Sequence, residues 1–379
     1  MPLFFVALHI LLALMNKYDY VIVGAGLFGA AFAQIMTERK KRCLVVEKRE
    51  RVGGNAATEE VGGIIVHKFG PHIFHTRDKS VWEYVNRFAE FNNFIYSPLA
   101  ESRGKLFNLP FNMNTFYSLW GVKTPSEARA TIEQQIKAAG ITDPKNLEEK
   151  ALSAVGEDIY RTLVKGYAEK RWARDCRFLP ASVIGKLDLR FSFDNSFFGD
   201  GYQGVPIGGY TRLVENMLDG AEVITGVDYF SDKAGFDGLA KTTVYTGPID
   251  RYFNYALGYL DYGTFEFETE RLEIPEFQGV SAVFYTDFDV SYARIVEHKY
   301  FEWKESAHTV ITREYPKKYE KGDEPLYPIP DAKNAELYGK YKELAEKEKS
   351  VLFGGRLAEY KYYSMGEVVA RAMQLAGEL

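Results

Sequence analysis

The stretch Tyr18–Ala56 reads YDYVIVGAGLFGAAFAQIMTERKKRCLVVEKRERVGGNA. An apolar run, Tyr20 to Val23, leads into Gly24-Ala25-Gly26-Leu27-Phe28-Gly29. A small-residue segment suited to a helix follows, then a second apolar run, Leu44 to Val46, that ends on Glu47. Strand, glycine turn, helix and strand in this order predict a βαβ unit with a dinucleotide-binding turn. Gly24 allows the tight turn, Gly26 lets the backbone approach a pyrophosphate, and Gly29 lets helix and strand pack closely. The helix start directs its free N–H groups and the positive end of its dipole at the phosphates. Glu47, at the tip of the second strand, is placed to accept hydrogen bonds from a ribose. The glycines alone are a weak signal; the two strands and the acid make it specific.

Arg51-Val52-Gly53-Gly54 follows the acid within one short loop. A second glycine-rich turn lets the backbone wrap the cofactor again, as in flavin enzymes of the glutathione-reductase type. Near the C-terminus, Phe353-Gly354-Gly355-Arg356 offers a further turn and a phosphate-pairing cation before a final helix. These features favour a flavin over a nicotinamide.

With 379 residues the chain can form two or three domains with a sizeable core. A formal net charge of −5 argues against nucleic acid as the main partner. Most of the 26 tyrosines and 27 phenylalanines are expected in the core, and a tyrosine-rich cleft would suit a polar ligand with stackable rings. Two cysteines, Cys43 and Cys176, are too few for a disulfide framework, so a reducing cytoplasm is expected. The opening MPLFFVALHILLALM has no basic n-region and no A-x-A site, and is too short to span a bilayer. Residues 1–14 are read as an upstream extension before Met15-Asn16-Lys17, and no membrane role is expected.

Along the chain, Ser80 to Phe91 has the spacing of an amphipathic helix, and Thr115 to about Ala173 reads as helical, with Thr124-Pro125-Ser126-Glu127 a helix start. Leu187 to Phe193 alternates like a strand, and β-branched and aromatic runs from Thr264 to Thr312 predict an antiparallel sheet. The expected fold is α/β: a discontinuous FAD-binding Rossmann-like domain (15–95, 206–250, 345–379), a helical insertion (112–185), and an antiparallel β-sheet domain (96–111, 186–205, 251–344).

From Gly70-Pro71-His72-Ile73-Phe74-His75-Thr76 onward the motifs become more specific. They include Asn108-Leu109-Pro110-Phe111, Lys165-Gly166-Tyr167, Trp172, Leu179-Pro180-Ala181-Ser182, Tyr202-Gln203-Gly204, Gly208-Gly209-Tyr210-Thr211, Tyr245-Thr246-Gly247-Pro248, Arg294, Tyr327-Pro328 and Gly355-Arg356-Leu357. In that order, from about Tyr18 to the C-terminus, the sequence resembles the UDP-galactopyranose mutase family. The resemblance implies a flavin used without net redox change. Reduced FAD attacks the anomeric carbon of a nucleotide sugar through N5, the ring opens and recloses through another hydroxyl, and the diphosphate returns. The electron source would be NAD(P)H or a reductase, and the family pattern allows a homodimer.

The resemblance also implies roles. Arg294 pairs with the diphosphate, Tyr327 and Tyr362 donate to it, and Tyr167 and Trp172 line the nucleotide and sugar side. His72 and His75 sit beside the flavin ring. Gly24, Gly26, Gly29, Glu47, Lys48, Gly54, Asn55, Thr246, Gly247 and Arg356 hold the cofactor. The HxxH spacing of His72 and His75 suggests a metal only superficially, because no third ligand accompanies it.

Several positions depart from the pattern. Lys186 stands where a second diphosphate arginine is usual, keeping the charge but losing the planar fork. Leu163-Val164 replace an aromatic pair that helps hold the uracil, Tyr96 replaces an asparagine near the sugar, and Ser364 replaces an aspartate. These changes fall on the nucleotide and sugar side, so dTDP-fucose or another nucleotide sugar stays open beside UDP-galactose. An FAD oxidoreductase of the amine-oxidase type and a nucleotide-sugar-binding protein without activity are the competing readings.

Overall fold

A computed structural model describes residues 17–185 and 187–379. The extension at 1–14 and Lys186 lie outside the described residues. The apolar runs flanking the glycine turn become central strands of a five-stranded parallel sheet. Its spatial order is Val351–Phe353, Ala240–Tyr245, Tyr18–Val23, Cys43–Val46, Glu222–Ile224. The two central runs show no polar alternation because both faces of the sheet are covered. Ile22, Cys43 and Val45 enter one core with the helices Leu27–Glu38 and Met365–Gly377. Val21, Val23, Leu44 and Val46 enter another with Tyr229, Tyr245 and Tyr252. Burial of each such aliphatic side chain contributes roughly 1.5–3 kcal/mol.

Gly24 sits at φ +106°, and a Cβ there would lie 2.2 Å from the Thr246 hydroxyl oxygen. A Cβ on Gly29 would meet the Gly24 carbonyl at 2.1 Å. The helix can therefore seat against the turn only with glycine at both positions.

The second sheet has seven strands in the order Tyr327–Pro328, Tyr262–Leu272, Thr309–Lys317, Arg294–Glu297, Ala282–Tyr285, Leu99–Ser102, Lys105–Asn108. Neighbours are antiparallel except Ala282–Tyr285 and Leu99–Ser102, which run parallel. The strands within 264–312 pair antiparallel, as expected; the one parallel neighbour, Leu99–Ser102, joins from a stretch before the helical insertion, so no hairpin fixes its direction. Residues 186–205 were expected in this sheet, but Tyr202–Gly204 pairs with Phe74–Thr76 instead. Leu189 makes one isolated bridge to Phe111. The alternation of Leu187, Leu189 and Phe191 arises because these residues pack on the helical insertion.

That insertion contains the helices Met113–Trp120, Pro125–Ala139, Leu147–Val155 and Lys165–Trp172. The start expected at Thr124 is a capping box with Glu127, with Pro125 at the first position. The amphipathic segment 80–91 is helical only over Lys79–Val85, capped by Asp78, and the chain turns before Phe88. A π-helical turn, Tyr160–Val164, precedes Lys165–Trp172. Lys170 then pins that helix to the second sheet, donating to the carbonyls of Tyr285, Asp287, Val290 and Tyr292 at 2.8–3.0 Å.

Candidate active site

A cavity of about 610 Å³ opens at the ends of the parallel strands. Gly24, Gly26, Gly29, Glu47, Lys48, Gly54, Asn55, Thr246 and Gly247 line it, as expected of a dinucleotide turn. The helix Leu27–Glu38 begins at Gly26 without a side-chain cap, which leaves its first N–H groups for a ligand. A Cβ at Gly26 would meet only the Gly54 Cα, at 3.7 Å, so bare backbone approaches the cavity. Buried Glu47 accepts from the Ala25 N–H at 2.8 Å and from the Arg49 N–H at 2.9 Å, one through each oxygen. Both carboxylate oxygens are thereby oriented and retain capacity for a ribose. Lys48 and Arg49 both pair with Glu324, at 2.9 and 2.7 Å, and Arg49 also donates to Asn55 at 2.9 Å. The sequence reading missed Arg49 and Glu324, which draw a distant loop over the strand ends.

Asn55, His72, Arg356 and Met365 line both this cavity and a second one of about 920 Å³. Arg356 donates to the carbonyls of Leu326 at 3.1 Å and Tyr363 at 2.6 Å, and stacks on Tyr362 at 5.0 Å. Among the described residues it has no carboxylate partner. Burial lowers its guanidinium below the ordinary arginine value, so an anion at the junction would be stabilising. His72 Nδ1 lies 2.8 Å from the Gly70 carbonyl and must carry the proton to donate there. Its Nε2 is then a bare acceptor. Burial lowers the imidazole to about 4, with Arg356 and Arg294 adding to the effect against the Gly70 bond. The bare glycine turn, the aimed carboxylate and the unbalanced arginine are a set that would fit a flavin dinucleotide.

The second cavity gathers His75, Tyr167, Arg294, Tyr327 and Tyr362 from five separate stretches of chain. Arg294 is gripped by Glu314 on the neighbouring strand, Nε at 2.9 Å and Nη2 at 3.0 Å. Glu314 is 1% exposed. Burial pushes its carboxyl up while the Arg294 charge draws it back. His75 Nδ1 bonds Asp200, and its ring stacks on Phe198 at 3.8 Å. Tyr327 needs Gly263 opposite it, because a Cβ there would lie 2.0 Å from the ring. Tyr362 stands at the rim, 66% exposed.

Not every expected residue comes to the cavity. Trp172 packs on the core of the helical insertion and is not on the cavity wall. The preceding residue, Arg171, takes that place: it is four residues from Tyr167 and shares its helix face. That spacing was visible in the sequence. Leu163 and Val164 are buried in the insertion core, away from the wall. Tyr96 does reach the wall, 3% exposed, with its hydroxyl unpartnered. Ser364 caps the final helix in a capping box with Glu367, a task that aspartate performs equally well.

Comparison with known proteins adds the following. The family model of UDP-galactopyranose mutase matches residues 162–362, and one of an NAD(P)-binding Rossmann-like domain matches residues 22–88. The chain is 34% identical to the Escherichia coli protein named "dTDP-fucopyranose mutase", covering 96% of this chain and 98% of that one. It is also 34% identical to a Klebsiella pneumoniae protein named "Probable UDP-galactopyranose mutase", covering 96% and 95%. A crystal structure of reduced UDP-galactopyranose mutase superposes with a TM-score of 0.70 at 14% identity, over 95% of this chain and 93% of that one. At that identity the superposition speaks for the fold. No helix among the described residues is long and apolar enough to cross a membrane.

Proposed function

The chain belongs to the UDP-galactopyranose mutase family, a family of flavin-using sugar mutases, and on that footing we propose that it interconverts an NDP-hexopyranose and its furanose form. UDP-galactose is the first candidate substrate. The similarity to a dTDP-fucopyranose mutase and the changes at Tyr96 and Lys186 make dTDP-fucose the second. The observation that carries the reading is the pair of cavities joined at Arg356, with a second arginine, Arg294, fixed in the larger one.

Bound and reduced, FAD supplies the nucleophile for the anomeric carbon and leaves the turnover without net redox change. The protein's part is to hold the expelled diphosphate. Glu314 takes Arg294 Nε and Nη2 and leaves Nη1 outside the ion pair. That fork end, with the Tyr327 hydroxyl and the rim hydroxyl of Tyr362, offers fixed donors for the leaving charge. Phe69, Phe265, Phe267 and Phe284 wall the same cavity and limit water around it. Asp200, bonded to Nδ1, and Phe198, stacked on the ring, fix the orientation of His75 at the same wall. Such a charged wall suits a nucleotide sugar better than the apolar tunnel of an amine oxidase.

The test is turnover by purified protein carrying FAD, with and without dithionite, on UDP-galactofuranose and dTDP-fucofuranose separately. Isomerisation only in the reduced state, without net flavin oxidation, is expected. Substrate oxidation coupled to consumption of an oxidant, or no isomerisation of either sugar, would overturn the reading.

A further inference from the structure

Four arginines line the larger cavity: Arg77, Arg171, Arg294 and Arg356. Three are engaged. Arg77 pairs with Asp200 at 2.8 Å, Arg294 with Glu314, and Arg356 with two carbonyls. Arg171, like Arg356, has no carboxylate partner among the described residues, but its bonds run to tyrosine hydroxyls where those of Arg356 run to carbonyls. Its Nε donates to the Tyr327 hydroxyl at 3.2 Å, and its guanidinium stacks over the Tyr327 ring at 4.8 Å and the Phe265 ring at 5.7 Å. The Tyr167 hydroxyl is its second side-chain partner, and among the described residues no carboxylate lies within ion-pair distance of it.

The hydrogen bond to Tyr327 and the surrounding rings of Tyr327, Phe265 and Trp172 restrict the guanidinium, so less freedom remains to be lost when a ligand engages it. Its charge is not balanced locally. Glu314 is the carboxylate that feels both Arg171 and Arg294, and Arg294 has already taken it. Tyr167 lies on the same helix face as Arg171 and lines the same wall. Two planar cations, one acid and two tyrosine hydroxyls therefore share one wall, with one positive charge in excess. A diphosphate matches that surplus in charge and in its demand for paired donors.

Resting on the nucleotide-sugar reading above, we propose that Arg171 is a diphosphate-gripping residue that acts with Arg294, held in position by Tyr327. The helix would then supply the planar fork that Lys186 lacks.

The test uses the full chain loaded with FAD. UDP and dTDP are titrated by calorimetry, and uridine and thymidine binding is followed by ligand-observed NMR, for wild type, Arg171→Gln and Arg171→Lys. We expect Arg171→Gln to weaken diphosphate binding by about 10- to 100-fold, with nucleoside binding and flavin absorbance unchanged. Arg171→Lys should fall between the two. Equal diphosphate affinity in wild type and Arg171→Gln overturns the assignment, as does an equal loss for nucleoside and diphosphate, which would mark a packing role. If Arg171→Gln loses its flavin, Arg171→Lys decides, and wild-type diphosphate affinity in it overturns the assignment. A wild type that binds neither UDP nor dTDP overturns the nucleotide-sugar reading itself, a result distinct from any difference among the variants.

Discussion

At the residue scale, the site depends on partners that no motif announces. Arg294 is useful because Glu314 holds it, and the two meet only because their strands pair in register. Taking a charge pair out of water is costly, but removing one member costs more, since the other is left uncompensated. Glu314→Gln should therefore lower folding stability by about 3 kcal/mol, read as a fall in the urea midpoint. An unchanged midpoint would mean that Arg294 finds another partner. Glu47 shows the opposite case. Its place at the strand tip was legible in sequence, and the structure adds the two backbone N–H groups that aim it. Arg171 lay in plain view as a residue four after Tyr167, but that no carboxylate among the described residues pairs with it is a three-dimensional fact.

At the element scale, the helix Lys165–Trp172 carries Tyr167 and Arg171 to the cavity and is fixed from below. Lys170 ties it to four carbonyls, and a Cβ on Gly166 would stand 2.3 Å from the Thr286 carbonyl oxygen. Gly166→Ala must push the helix off the sheet. The expected cost is about 1–3 kcal/mol, together with a raised KM and unchanged flavin content. Steady-state kinetics with a flavin absorbance ratio checks this, and an unchanged KM would show that the helix can shift without moving its cavity face. The helix starting at Thr124 was readable because its cap is local in sequence. The segment 187–193 was misleading because a period of two reports one buried face and not the presence of a partner strand.

At the scale of the whole molecule, three histidines are kept neutral inside the fold. Burial lowers His298 to about 3 and His72 to about 4, and holds His67 well below its ordinary value. In the unfolded chain each titrates near its ordinary value of about 6.5. Below that pH the unfolded state takes up protons that the folded state refuses. Stability should accordingly be level in these groups above about pH 6.5 and fall between there and about pH 4, by up to about 1.4 kcal/mol per pH unit for each histidine. Urea unfolding at pH 7 and pH 5 measures the slope, and His298→Gln should flatten it. An unchanged slope in that variant would show that His298 is not among the groups responsible.

The sequence by itself determined the nucleotide-binding half of this protein. A glycine turn between two strands with an acid at the second tip is a local device, and each of its constraints acts between residues close in the chain or through backbone geometry. It also carried the family, through motifs kept in order over most of the length. Only the tertiary structure decided the substrate half. The pairing of Arg294 with Glu314, the lack of a carboxylate beside Arg171 among the described residues, the displacement of Trp172 from the wall and the parallel strand pair all depend on which distant segments meet. That is set by the packing of two sheets and a helical insertion, and not by the order of residues in any one of them.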